Sequence, residues 1–238
     1  MLLWALLFPL GLLAGTLTTV AGMGGGILLL LAVSLATGPA EALAITAPAL
    51  FIGNAHRAYR FRGEVNRRIV TLFALGAVPG SLIGGALVTS LPRGALAWLL
   101  VGSTAFAVAR ALDVLRFQPA PALMTPAGFG IGAASATSGG AGLLVAPLFM
   151  AAGLTGTAYV ATTAAAATAM QAGRVVAYGA SGLVTGVSLA MSAVLVGSLL
   201  GGNLLGERAR KYLDAKRSRQ LEMATLLVCV ALALLGLW

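Results

Sequence analysis

The chain has 238 residues, of which 59% are hydrophobic and only 9% are charged, and its formal net charge is +9. This composition excludes an ordinary water-soluble domain and fits lipid as the solvent. The basic residues stand in short loops between apolar segments, which is typical of membrane topology signals and speaks against a nucleic-acid-binding surface.

The chain begins with an apolar run over residues 1–37 that a glycine cluster, AGMGGG at 21–26, interrupts. A second such run, 122–153, contains SGGAG at 138–142. A helix rises about 1.5 Å per residue, so pieces such as 123–137 and 143–152 are too short to cross roughly 30 Å of hydrocarbon comfortably. We therefore predict two broken hairpins and leave open whether they are re-entrant or span fully. The first lacks a signal-peptide pattern, and we expect it in the mature protein.

Three apolar segments follow each hairpin and are long enough to be transmembrane helices. In the first half they are 42–59, 69–91 and 95–115, and in the second half 157–178, 183–205 and 221–238. The sequence therefore predicts an all-α polytopic membrane protein.

The two halves resemble each other at a constant separation of 117 residues. GSLIGG at 80–85 returns as GSLLGG at 197–202, and the same separation aligns Thr46 with Thr163 and Arg57 with Arg174. We interpret residues 1–118 and 119–238 as two repeats. Many transporters are built from two such repeats, with the binding site between them.

The basic residues predict the orientation of these repeats. Thirteen of the 15 lie in three loops, around residues 57–68, 110–116 and 208–219. If those loops are cytoplasmic, an odd number of crossings gives the halves opposite orientation and places both termini outside the cytoplasm. The number of crossings in each half is odd whether the hairpin is re-entrant or spans fully, so the charge pattern does not distinguish the two.

The glycine-rich breaks are candidates for an anion site. Helix starts near Gly25 and Gly142 would present free amides and positive dipole ends to a central cavity. Hydroxyls flank both breaks. The alternative is that the glycines permit close helix packing, which we favour for the clusters at 80–85 and 197–202.

A carboxamide and an arginine also stand three residues apart in both halves, which places them on one helix face: Asn54 with Arg57, and Gln171 with Arg174. Arginine suits carboxylate, sulfonate or sulfite. Arg174 departs from the cytoplasmic pattern and is the better candidate, whereas Arg57 is expected at the membrane interface. The predicted substrate-binding residues are Thr19, Gly22, Met23, Gly24, Gly25, Gly26, Asn54, Arg57, Thr137, Ser138, Gly139, Gly140, Ala141, Gly142, Gln171 and Arg174.

The two glycine-rich breaks and the paired Gly-Ser-Leu-x-Gly-Gly motifs resemble those of the TauE/SafE sulfite exporter family of membrane permeases, over nearly the whole chain. The resemblance implies a bacterial inner-membrane permease that moves sulfite, sulfonates such as sulfoacetate, or related organic anions.

Other functions remain as alternatives: an anion channel, a membrane scaffold for a partner, or a membrane enzyme. An enzyme is disfavoured because the spans contain no HExxH motif, clustered carboxylates or cysteine pair. The single cysteine, Cys229, gives no metal-binding spacing. No cofactor is expected and no GxxxxGK[ST] motif is present, so the driving force is an ion gradient, the substrate gradient or another subunit. The sequence leaves open a homo-oligomer, the coupling ion (H⁺ or Na⁺) and the direction of transport.

Overall fold

A computed structural model describes residues 2–22, 24–92, 94–96, 98–99, 101–102, 105, 123–139, 145–213 and 215–235. Over these residues the chain is helical and has no strand, which confirms the all-α fold class. The helices are α1 (Leu2–Ala21), α2 (Gly25–Thr37), α3 (Pro39–Arg60), α4 (Arg67–Leu87), α5 (Met124–Ser138), α6 (Val145–Ala151), α7 (Gly156–Ala180), α8 (Gly186–Arg210) and α9 (Ala215–Leu235).

Several helices have the length and apolarity of membrane spans. Among the described residues, Trp4–Ala21, Arg67–Ser90 and Gly186–Arg210 are long and apolar enough to cross a bilayer. Helices α3, α7 and α9 overlap the predicted spans 42–59, 157–178 and 221–238. Of the predicted span 95–115 the structure describes residues 95–96, 98–99, 101–102 and 105, all helical, and the rest lies outside the described residues. The division of the chain at residue 118 stays a prediction.

Glycines in the left-handed backbone region end α1 and α5. Gly22 follows α1 with φ 85° and Gly24 precedes α2 with φ 91°, while Gly139 follows α5 with φ 69°. Side-chain-bearing residues rarely adopt these angles, so glycine is needed here. Gly22 and Gly139 are 117 residues apart, so the two halves break at equivalent positions.

The start of α2 lies beside the middle of α1, because a Cβ at Gly25 would overlap the Ala14 carbonyl oxygen and the Thr18 hydroxyl. The chain therefore turns back on itself at the first break. α2 has 13 residues and extends about 20 Å, which is shorter than the hydrocarbon core. α6 follows directly after residues 140–144, which lie outside the described part of the chain.

The closest helix packing pairs one half with the other. α1 packs along α8 and α5 packs along α4. At the first contact a Cβ on Gly15 would lie 2.5 Å from the Leu199 carbonyl oxygen, and at the second a Cβ on Gly80 would overlap the Phe129 carbonyl oxygen. Small residues thus let the backbones approach, as the packing interpretation of the 80–85 cluster predicts. Gly197 differs, since nothing lies within 4 Å of its Cβ position.

Helices α3 and α7 lie against each other at the centre, with α8 beside α3 and α4 beside α7. At one end, Arg60 Nη2 lies 2.8 Å from Glu207 Oε1 and Arg60 Nε donates to Glu207 Oε2 at 3.0 Å. The Arg210 guanidinium lies 6.0 Å from the Phe61 ring centroid at the same end. We call the end of the bundle that carries Arg60, Glu207 and Arg210 the basic end.

Candidate functional site

A narrow cavity lies between the two halves. Its volume of about 80 Å³ is several times the roughly 10–15 Å³ that a single water needs on the same measure. The space therefore accommodates several waters or one small ion. The lining residues are Gly15, Thr18, Gly22, Gly24, Gly26, Ile27, Leu50, Gly53, Asn54, Arg57, Ser135, Gly139, Thr163, Ala167, Met170, Gln171, Leu199 and Asn203.

Equivalent positions of the two halves meet in this lining. Both carboxamides and both helix-ending glycines are present, although 117 residues separate the members of each pair. The equivalent pairs are Thr18 with Ser135, Gly22 with Gly139, Leu50 with Ala167, Gly53 with Met170, and Asn54 with Gln171. Residues 117 positions apart in the sequence therefore line the same cavity.

Arg57 is buried in the wall of the cavity, with 3% of its surface exposed. Its Nη2 atom donates to Asn54 Oδ1 at 2.8 Å, one helical turn earlier. The expectation that Arg57 extends to the membrane interface is therefore wrong. Tertiary packing turns this side chain inward even though its neighbour Arg60, three residues later, reaches solvent and Glu207.

Four polar atoms of the lining residues are buried without a hydrogen-bond partner among the described residues. They are Arg57 Nε, Ser135 Oγ, Thr163 Oγ1 and Gln171 Oε1. Each buried unsatisfied group costs about 1–3 kcal/mol, more if charged, so native proteins rarely leave such groups clustered unless a ligand or water completes them. An N–H and two hydroxyls among the four can donate, which indicates a ligand that accepts hydrogen bonds.

The charge of the lining has one sign. Among the lining residues that the structure describes, Arg57 carries the only formal charge, and no ion pair to it is found in the described part of the chain. Gly24 and Gly26 add the amino-terminal turn of α2, whose free amides and dipole favour an anion. The arrangement is that of an anion site without an acidic residue in its wall.

Asn203 on α8 holds the cavity wall together. Its Nδ2 atom donates to the Gly53 carbonyl oxygen at 2.8 Å, and its Oδ1 accepts from Thr19 Oγ1 at 3.0 Å. The predicted residue Thr19 therefore lies behind Asn203 and outside the lining. The sequence reasoning missed Asn203, although a carboxamide inside an apolar segment is a signal that points to such a role.

Arg174 is also buried, with 1% of its surface exposed, but it does not line the cavity. Its Nε donates to Tyr178 Oη at 3.2 Å, and the Tyr178 hydroxyl donates to the Ala136 carbonyl oxygen. Of the two equivalent arginines, the structure thus brings Arg57 to the site and places Arg174 apart from it.

The other predicted residues divide into three groups. Gly22, Gly24, Gly26, Asn54, Gly139 and Gln171 line the cavity with Arg57. Gly25 packs against α1, and Thr137 and Ser138 donate to carbonyl oxygens of their own helix. Met23, Gly140, Ala141 and Gly142 lie outside the described residues. Thr163 was identified only as the repeat partner of Thr46, and the apolar lining residues carried no signal of their own.

The long apolar helices are those of a membrane protein, and the comparison with protein families gives its class. A family model described as Sulfite exporter TauE/SafE matches residues 7–234 of the chain, nearly its whole length. The chain belongs to the TauE/SafE sulfite exporter family. No curated protein and no solved structure matched it.

Proposed function

We propose that the protein is a secondary permease for a small sulfur oxyanion such as sulfite or sulfoacetate, bound in the cavity at Arg57. The observation that carries the proposal is a buried guanidinium with no acidic partner among the described residues, facing a cavity between the two halves. Burying a charged group without a counter-ion is costly, and an anionic ligand removes that cost.

The donors of the lining fit an oxyanion rather than a halide or an apolar molecule. Arg57 Nε, the hydroxyls of Ser135 and Thr163, and the first amides of α2 approach from different helices. Sulfite and sulfonate groups carry three oxygens that accept hydrogen bonds from several directions. Planar guanidinium donors match pairs of such oxygens.

Helix directions support an inverted pair of repeats. α8 ends at the basic end, and its 25 residues extend about 37 Å, so its first residue lies at the opposite end. The short turn before α8 places the end of α7 there as well. The equivalent helix α3 ends at the basic end. α3 and α7 therefore run in opposite directions, as inverted repeats require.

The two close pairs of helices support the same arrangement. α1 of the first half packs on α8 of the second, and α5 of the second half packs on α4 of the first. α5 and α4 are equivalent to α1 and α8 with the halves exchanged. Such reciprocal packing is expected when two repeats are related by a two-fold axis in the membrane plane.

The basic end is cytoplasmic in this proposal, because basic loops are retained on the cytoplasmic side. Residue contacts show that α1 runs parallel to α8, since Gly11 meets Ser198 and Gly206 meets Thr19. The amino terminus then lies opposite the basic end. α9 starts near Arg210 and its 21 residues reach back across the bilayer, so the carboxyl terminus lies outside the cytoplasm too.

The test is flux in proteoliposomes containing only this protein. Sulfite, sulfoacetate, thiosulfate and a plain dicarboxylate are offered in turn, with protein-free vesicles as the blank. The permease predicts saturable flux of at least one sulfur oxyanion, competed by the others. Non-saturating currents instead identify a channel, and no flux of any member from well-folded protein contradicts the proposal.

A further inference from the structure

The lining of the cavity is not symmetric between the two halves. Beyond the five equivalent pairs, five lining residues have a described equivalent in the other half that does not line the cavity. Those five are Gly15, Arg57, Thr163, Leu199 and Asn203. Their equivalents outside the lining are, in the same order, Gly132, Arg174, Thr46, Leu82 and Ala86.

All five asymmetric lining residues lie toward the basic end. Arg57 and Asn203 come one helical turn before the ion-paired residues Arg60 and Glu207. Thr163 follows Thr162, whose hydroxyl accepts from the Asn66 backbone N–H at 3.0 Å in the loop after α3. Gly15 and Leu199 join this group, because a Cβ at Gly15 would meet the backbone at Leu199 and Asn203. The lining residues that lack an equivalent in the cavity thus all lie toward the basic end, while Gly139 continues the lining on the other side of the centre.

The equivalents beyond the centre are held by contacts of their own. Thr46 donates its hydroxyl to the Ala42 carbonyl oxygen at 2.7 Å, one turn earlier on α3. Arg174 is held by Tyr178, yet its Nη2 is buried without a partner and no ion pair to it is found in the described residues. A buried guanidinium without a counter-ion is costly. An anion within reach would therefore draw the Arg174 side chain away from its present position.

The aromatic residue four positions after each arginine distinguishes the two halves. In the second half it is Tyr178, which accepts from Arg174, and at the equivalent position of the first half it is Phe61, which has no hydroxyl. Arg57 therefore has no such acceptor after it on α3, and its guanidinium turns to Asn54 and the cavity.

We propose that Arg174 and Thr46 replace Arg57 and Thr163 as cavity residues when the cavity opens to the end opposite the basic end. This inference rests on the proposed permease function. The inverted halves exchange roles in that step: Arg57 and Thr163 withdraw, and Arg174 leaves Tyr178 and takes over the anion. Tyr178 is a positioning residue that favours the state seen here.

The experiment measures thiol reactivity at one equivalent pair, in a Cys229→Ala background that removes the native thiol. Thr163→Cys and Thr46→Cys are each treated with a small sulfonate-bearing methanethiosulfonate. In the parent, Thr163→Cys is expected to react faster than Thr46→Cys. Adding Tyr178→Phe is expected to raise the rate at Thr46→Cys about tenfold and to lower that at Thr163→Cys, the shift expected from losing one hydrogen bond of a charged group.

Phe61→Tyr is the matched variant, because it installs at Arg57 the acceptor that Arg174 now has. Like Tyr178→Phe, it is expected to raise the rate at Thr46→Cys and to lower the rate at Thr163→Cys, because the new hydroxyl draws Arg57 out of the cavity. It also keeps the test available if Tyr178→Phe does not fold. Unchanged rates in both variants, or rates that rise together at the two cysteines, overturn the exchange.

Flux in the same variants separates this inference from the permease function. Saturable sulfite flux with no change in reactivity, and with Arg174→Gln transporting normally, overturns the exchange but leaves the permease standing. Reciprocal reactivity without flux of any sulfur oxyanion supports the exchange and contradicts the proposed function.

Discussion

Asn54 and Arg57 form a hydrogen-bonded pair in the cavity wall, Nη2 to Oδ1 at 2.8 Å, and Arg57 Nε has no partner within the part of the chain that the structure describes. The carboxamide orients the guanidinium without neutralising it. A neutral partner at this position therefore keeps the positive charge available to a ligand, whereas a carboxylate would neutralise it in an ion pair.

Asn54→Asp is expected to weaken anion binding while the protein still folds. The new carboxylate would pair with Arg57, and a buried charge pair with good geometry is tolerated whereas a lone buried charge is not. We expect sulfite affinity to fall at least about tenfold with little change in Tm, since one lost charge-assisted interaction has that magnitude. Isothermal titration of the purified variant measures this. Undiminished sulfite affinity would show that Arg57 is not the anion's partner.

Ser135 and Ser192 are both buried hydroxyls but differ in whether they have a partner. Ser192 donates to the Ile45 carbonyl oxygen, and Ser135 Oγ has no partner among the described residues. Ser192→Ala is expected to lower stability by about 1 kcal/mol, or roughly 2–4 °C in Tm, while Ser135→Ala leaves the ligand-free Tm unchanged or raised. Ser135→Ala should instead weaken the stabilisation that sulfite gives. Equal losses of Tm in the two ligand-free variants would contradict the assignment.

The equivalent glycines Gly80 and Gly197 test the packing argument. A Cβ at Gly80 would overlap the Phe129 backbone, and nothing lies within 4 Å of the Cβ position at Gly197. Gly80→Ala is expected to cost about 1–3 kcal/mol through overpacking of α4 on α5. Gly197→Ala is expected to be neutral or to stabilise by up to about 1 kcal/mol through helix propensity. Thermal unfolding of both in the same detergent compares them, and a larger loss at Gly197 would be inconsistent with this helix contact.

Cysteine accessibility tests the opposite orientation of the two halves. Arg62→Cys lies just after α3, and Ser181→Cys lies at the equivalent turn region just after α7. With Cys229→Ala, a membrane-impermeant maleimide should label Ser181→Cys in spheroplasts and Arg62→Cys only in inside-out vesicles. Labelling of both from one side would exclude inverted repeats.

The sequence singled out several residues of the cavity lining because glycine breaks and polar residues inside apolar segments are local features. The 117-residue separation aligned Gly22 with Gly139 and Asn54 with Gln171, and all four line the cavity. The sequence favoured Arg174, whereas Arg57 is the arginine that lines the cavity, because loop charge says nothing about which way a side chain turns once helices pack. Asn203 joins the wall through the contact of α8 with α3; its carboxamide inside an apolar segment signals a polar role but does not show which helix it contacts.

Binding of sulfite to Arg57→Gln, compared with Arg62→Gln as the control, tests the central claim most directly. Arg62 is exposed at the basic end, where its guanidinium lies 4.6 Å from the Tyr59 ring centroid, so its removal leaves the cavity intact. Titration calorimetry should show sulfite binding to the parent and to Arg62→Gln but none to Arg57→Gln. Equal affinity in all three proteins would contradict an anion site at Arg57.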